Sequence, residues 1–174
     1  MGKTAIDKLL VKTAQGDIAS FEQLYECTKR GVFAFLYTYL HNYADTEDAM
    51  QTVYLKVKTY APSYRQGTNG RAWLLEIAKN QALNQIKKRK REIGLDDLGE
   101  LSFTQPEFSG GVGVTEVMRR ILSQEEQQIV TLHVLWNYKH REIAETLGCP
   151  VGTVTSKYKR AVAKLKKELK EEER

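Results

Sequence analysis

Apolar residues return every three or four positions along most of the first half of the chain, the period of helices with one buried stripe. Phe21, Leu24, Tyr25, Val32, Phe35, Leu36, Tyr39 and Leu40 give one such stripe from about Ile18 to Leu40. His41–Ala44 interrupts it. Asp45 can then cap a helix to about Tyr60 that turns Met50, Val53, Tyr54 and Val57 inward. Pro62, Gly67 and Gly70 mark 61–70 as a loop. A further helix from about Arg71 carries Trp73, Leu74, Ile77, Ala78, Leu83 and Ile86 and ends in the basic run Lys87–Arg91. No segment alternates with period two, so the fold class is all-α.

The stretch Gly94–Thr115 (GLDDLGELSFTQPEFSGGVGVT) holds no helical period and contains a Gly-Gly pair and a proline. It reads as a flexible linker over 93–115, joining a small helical domain at 1–92 to another at 116–174. In the second domain Ser123 and Glu126 form an S-x-x-E capping box ahead of Ile129, Val130, Leu132 and Leu135. A second helix covers about Lys139–Leu147, Gly148 suits its C-cap, and Pro150 stops it. A third helix, about Val151–Leu169, follows at once.

His140–Val154 has helix-turn-helix grammar. Ala144 is small enough for a close crossing, Gly148 makes the turn, and Ile143, Leu147 and Val154 share a core. Val154, Tyr158, Ala161, Val162 and Leu165 form the buried stripe of the last helix. Gly152, Thr155, Ser156, Lys159 and Arg160 are left on the opposite face, where a recognition helix meets base edges and phosphates. The competing reading is a surface helix with a solvated basic face.

Charge changes this picture from a fold to a binding function. The net charge is +5, but it divides into +7 over residues 1–91, −6 over 92–116 and +4 over 117–174. Two basic modules flanking an acidic joint suit two contacts with a polyanion. Two cysteines and three histidines without ligand spacing leave no zinc site or disulfide framework, so no metal and no cofactor are expected. Cys149, between the turn glycine and a proline, reads as a packed residue, with a redox-sensitive thiol as the alternative. The longest apolar run, Val32–Leu40, is about half a bilayer span, and no signal peptide opens the chain. An intracellular, soluble, non-enzymatic protein is the expectation; no nucleotide-binding glycine loop argues for a helicase.

Both halves then resemble a bacterial RNA polymerase σ factor of the σ70 family, of the two-domain extracytoplasmic-function (ECF) type. The C-terminal half carries Leu122-Ser123, Arg141-Glu142-Ile143-Ala144, Pro150–Ser156 and Arg160-Ala161 in the order of the −35-binding σ4 domain. The N-terminal half carries Asp45–Gln51, Trp73-Leu74, Ile77–Asn80 and Lys87–Arg91 in the order of σ2. The resemblance implies docking on the clamp helices of the polymerase β′ subunit by Asp45, Glu47, Asp48, Gln51 and Thr52, although Thr52 stands where many relatives carry an acid. Helix capping is the bland reading of Asp45 and Asp48.

By the same resemblance, −10 recognition and melting fall to Tyr64, Arg65, Asn69, Asn80 and Asn84, with Lys87, Lys88, Arg89, Lys90 and Arg91 holding phosphates. Asn84 stands where relatives often carry Asp, and Trp73 is a core residue in this reading. The −35 element falls to Arg141, Gly152, Thr153, Thr155, Ser156, Lys159 and Arg160. Implied partners are core RNA polymerase, through β′ and the β flap, promoter DNA, and an anti-σ protein, commonly membrane-anchored. The implied molecule is a cytoplasmic monomer when free and nucleoid-associated when active, serving a stress or envelope regulon. The rival functions are a helix-turn-helix regulator acting without polymerase, usually dimeric, and a helical scaffold that binds only protein.

Overall fold

Twelve residues ahead of the first expected stripe already form a helix, because Ile6, Leu9 and Leu10 fall on one buried face of α1 (Lys3–Ala14). The computed structural model describes residues 3–92 and 114–172. Among them it contains helices and one short 3₁₀ turn and no strand, and it divides into two compact units. The linker expected at 93–115 lies outside the described residues except for its last two positions, which are helical.

In the first unit α2 (Ile18–Leu40) keeps the bounds its stripe predicts, with Asp17 accepting from the Ser20 amide as N-cap. His41 ends it in the left-handed region, at φ 49°. The next cap differs from expectation. Asn42, not Asp45, caps α3 (Tyr43–Tyr60), its side chain accepting from the Asp45 amide at 2.9 Å. Asn42 has the extended backbone an N-cap needs, whereas Asp45 already sits inside the first turn. A 3₁₀ turn (Ala61–Ser63) and a loop lead to α4 (Gly70–Glu92).

Leu24, Val32, Phe35, Leu36, Val53, Val57 and Leu74 are fully excluded from solvent and weld α2, α3 and α4, with Leu10 joining from α1. Burying such side chains is worth roughly 1.5–3 kcal/mol each, which suffices to fix the helix faces. The expected stripes fail at Ile18, which is 67% exposed at the start of α2, and at Leu83, which is 36% exposed on α4. Inside the core, the hydroxyls of Thr28 and Tyr54 meet at 2.7 Å, and burial pushes the Tyr54 phenol well above its ordinary range.

The second unit has its own core. Its first helix, α5 (Val114–Ile121), begins two residues before the expected boundary and contributes Val117 and Met118. Next come α6 (Gln124–Val134), α7 (His140–Leu147) and α8 (Val151–Glu172). The Ser123–Glu126 capping box is complete in both directions. Gly148 takes φ +68°, the left-handed geometry that a side chain resists, and the Cys149 amide closes the turn on Ala144. Met118, Leu122, Val130 and Ala161 cluster beneath Tyr158 and Leu165, while Leu135, expected inside, is 48% exposed. Among the described residues no helix is long and apolar enough to cross a membrane.

Candidate nucleic-acid and partner interfaces

On α3 the packing of Ala49, Val53 and Val57 fixes which residues face outward. Glu47, Asp48 and Gln51 are exposed. Thr52 is half-buried and its hydroxyl donates to the Asp48 carbonyl at 3.0 Å, so its donor is already used within the helix. Asp45 is engaged differently: Oδ2 accepts from Nη1 of Arg89 at 2.9 Å, and its carbonyl accepts from the Gln85 amide. The N-terminal end of α3 is therefore clamped to the C-terminal end of α4. Asp48, Thr52, Asn84 and Lys88 line the polar groove between the two helices.

Helix α4 exposes Asn80 and Asn84, with Lys87, Lys88 and Arg91 beyond them and Lys90 half-buried. The basic run is not uniform, since Arg89 turns toward Asp45 while Lys88 lies 3.8 Å from Glu92 in an exposed pair. In the loop before α4, Arg65 is exposed and Asn69 is half-buried, its Oδ1 capping α4 through the Ala72 amide. Tyr64 departs from its expected place. The residue is 9% exposed and its ring packs edge-on against Trp73, with centroids 5.4 Å apart. Its hydroxyl donates to Asp7 Oδ1 at 2.6 Å. Burial and that carboxylate both push the phenol up. Such a ring offers no open face for a base to stack on. Trp73, expected as core, is half-buried over Tyr64.

In the second unit Gly152, Ser156, Lys159 and Arg160 are exposed on α8, and Arg141 is exposed on α7 in a loose pair with Glu145 at 3.6 Å. A Cβ built on Gly152 meets nothing within 4 Å, so the helix start there is open to a close partner. Thr153 and Thr155 are half-buried. The Thr155 oxygen lies 3.1 Å from both the Val151 carbonyl and His140 Nδ1. A carbonyl only accepts, so the hydroxyl donates to Val151 and the imidazole N–H donates to the hydroxyl. His140 had no role in the sequence reading; only its spacing to position 155 across the turn could have indicated one. Behind this face Lys164 bonds Glu126 at 2.7 Å, Lys157 pairs with Glu125, and Arg120 with Glu168. These contacts hold α8 against α5 and α6.

Two family models match the chain in series: Sigma-70 region 2 over residues 24–92 and Sigma-70, region 4 over 120–165. The chain is an ECF-type σ factor of the σ70 family. As a σ factor it binds core RNA polymerase for transcription initiation at promoters. Region 2 accounts for the first unit, which a regulator acting without polymerase leaves unexplained.

Among its relatives is the ECF σ factor SigW of Bacillus subtilis, 25% identical, covering 95% of this chain and 97% of that protein. The ECF σ-E factor of Escherichia coli K12 is 28% identical, covering 92% and 93%. The solved σ factor RpoE from Bartonella quintana, in complex with the anti-σ factor NepR, superposes with a TM-score of 0.65 at 25% identity, covering 88% of this σ factor and 98% of that chain. CnrH, solved with the cytosolic domain of CnrY, shares the fold with a TM-score of 0.64 at 19% identity, covering 95% and 97%. Helix α1 precedes the region 2 match, and Asp7 on it was missed by the sequence reading: nothing near it in the chain indicates that its partners lie 57 and 63 residues away.

Proposed function

We propose that Asp48, Gln51 and Glu47 on the outward face of α3 dock on the β′ clamp helices, with Asp45 and Thr52 at the edge of that contact. The 61–70 loop and α4 meet the −10 element: Arg65 and Asn69 from the loop, Asn80 and Asn84 from the helix, and Lys87, Lys88, Lys90 and Arg91 on the strand phosphates. Tyr64 acts from inside, as an anchor of the loop. Arg141, Gly152, Thr153, Thr155, Ser156, Lys159 and Arg160 read the −35 element, while the second unit also meets the β flap.

The observation that carries this reading is one of placement. An exposed acid-and-amide face on α3 lies within the region 2 match, and an exposed polar face opens the recognition helix within the region 4 match. The solved complex of a relative with an anti-σ factor supports an anti-σ partner; the further proposal is that this partner is membrane-anchored and covers the docking face. The same reading places the protein in the cytoplasm, at the nucleoid when active, with a stress or envelope regulon and no catalytic residue.

The test is co-elution with bacterial core polymerase at moderate salt, beside an Asp48→Ala, Gln51→Ala variant. Salt suppresses merely basic adhesion. Wild-type co-elution lost in the variant is the expected result. A variant that still co-elutes moves the docking face off α3.

A further inference from the structure

We propose that Asp7 is a positioning residue for −10 strand recognition, one carboxylate oxygen on α1 that ties both ends of the 64–70 segment of the loop. The inference rests on the reading that this loop meets the unpaired strand. Asp7 Oδ1 accepts from the Tyr64 hydroxyl at 2.6 Å and from the Gly70 amide at 2.8 Å. These donors bracket the segment that carries Arg65 and Asn69. Between them the loop closes on itself, the amide and hydroxyl of Thr68 both donating to the Arg65 carbonyl. The small turn is thus a unit in its own right, and its two attachment points converge on a single atom of another helix.

The convergence leaves little slack. A Cβ added at Gly70 meets that oxygen at 2.6 Å and Leu10 Cδ1 at 2.9 Å, so the backbone approaches α1 as closely as glycine permits. Packing alone does not call for a carboxylate here. Ile6, Leu9 and Leu10 already dock α1, and the half-buried carboxylate beside them accepts from two donors of the loop. What the carboxylate adds is the fixed position of the loop. Capturing an unstacked base rewards a loop that is ordered beforehand, because ordering it during capture is subtracted from affinity.

The experiment uses holoenzyme assembled from the full-length factor and bacterial core polymerase. The probe is a fluorescent single strand recovered from a random pool by the wild-type holoenzyme. Asp7→Leu removes both acceptors and should weaken strand binding about tenfold. Tyr64→Phe removes one bond and keeps the ring, for a loss of about threefold. Asp7→Asn keeps an oxygen for both donors and should stay within about twofold of wild type. Affinity for core polymerase and the melting of the second unit should not move in any of the three.

Arg65→Ala and Asn69→Ala are run in parallel. If neither weakens strand binding, the loop reading falls and the inference with it. If they weaken it and Asp7→Leu does not, only the positioning role is overturned. Parallel losses in strand and core affinity for Asp7→Leu make Asp7 merely structural and also overturn it. Should that variant not fold, Tyr64→Phe and Asp7→Asn decide: a Tyr64→Phe protein with unchanged strand affinity refutes the proposal.

Discussion

Arg89 belongs by sequence to a run of five cations, yet its guanidinium is spent on Asp45. The consequence can be read in salt. Each phosphate contact on a single strand contributes about −0.7 to the slope of log K against log salt concentration. Five equivalent cations from Lys87 to Arg91 give about −3.5 from this run, and four give about −2.8. Arg89 bonds Asp45 at 2.9 Å with the two side chains 41% and 35% exposed. If it left for a phosphate, Asp45 would take up a cation as the phosphate released one. The net release is near zero whichever partner Arg89 holds.

The exposed Lys88–Glu92 pair, at 3.8 Å with both side chains more than half exposed, is too weak to withhold Lys88 in the same way. Lys87→Ala in holoenzyme should therefore flatten the slope by about 0.7, while Arg89→Ala leaves it within about 0.2. Asp45→Asn removes the carboxylate that neutralises Arg89 and should steepen the slope, by at most about 0.7. The assay is fluorescence anisotropy of the selected strand from about 50 to 200 mM salt, with core polymerase saturating so that docking does not intrude. Equal flattening by Lys87→Ala and Arg89→Ala would refute the reasoning, because Arg89 would then add to the net release as fully as Lys87 does, with no offset at Asp45.

Glu126 should show a pH signature: burial raises its carboxyl, but Lys164 and the Ser123 amide outweigh that and hold it below the ordinary value of 4.5. Its stabilisation is thus present above about pH 4.5 and lost as pH falls through the lower folded value; Glu126→Gln should lower the melting temperature of the second unit by about 4–8 °C at neutral pH, for about 1 kcal/mol, and by little in acid. Trp136, 4% exposed in that unit, reports the transition by fluorescence in a Trp73→Phe background. Thr155→Val keeps the methyl group and should hold −35 affinity within about twofold, whereas Thr155→Ser loses a methyl worth about 0.8 kcal/mol, or about fourfold, if the methyl meets DNA; competition binding with promoter duplex ranks them, and a larger loss for Val sinks the idea. Gly70→Ala should cost the first unit about 1–3 kcal/mol in urea denaturation through the clash with Asp7 and Leu10; a neutral outcome would mean that α1 shifts freely.

How much of this was legible follows from the range of the interaction concerned. Periodicity is local, and the bounds of α2, the inward face of α3 and the exposed face of α8 were all readable from it. The capping box at Ser123 and the turn at Gly148 are also local, each a few residues of fixed chemistry. The errors began where two local candidates competed: Asn42 and Asp45 both suit an N-cap, and only backbone conformation chooses. Leu83 and Leu135 carried the right period but lie where no neighbouring helix covers them, which depends on tertiary packing. The partners of Tyr64, Arg89 and His140 escape the sequence for another reason. Their partners Asp7, Asp45 and Thr155 lie across a helix packing or a turn, and no pattern in the chain reports such distances.

The hydroxyls on the proposed faces make the same point about specificity. Thr52 donates to Asp48, Thr155 to Val151 and Ser156 to Thr153, each bond closing on a carbonyl of the same helix. A hydroxyl has one hydrogen, so these residues reach a partner only as acceptors or through their carbon atoms. Composition counts them as versatile polar groups, but folding has removed half of that versatility. Donors able to choose among base edges are therefore the amides of Asn80 and Asn84 and the cations Arg65, Arg141, Lys159 and Arg160, all exposed. It follows that exchanging amides or cations should change which promoter is read, whereas exchanging hydroxyls should change how tightly it is held.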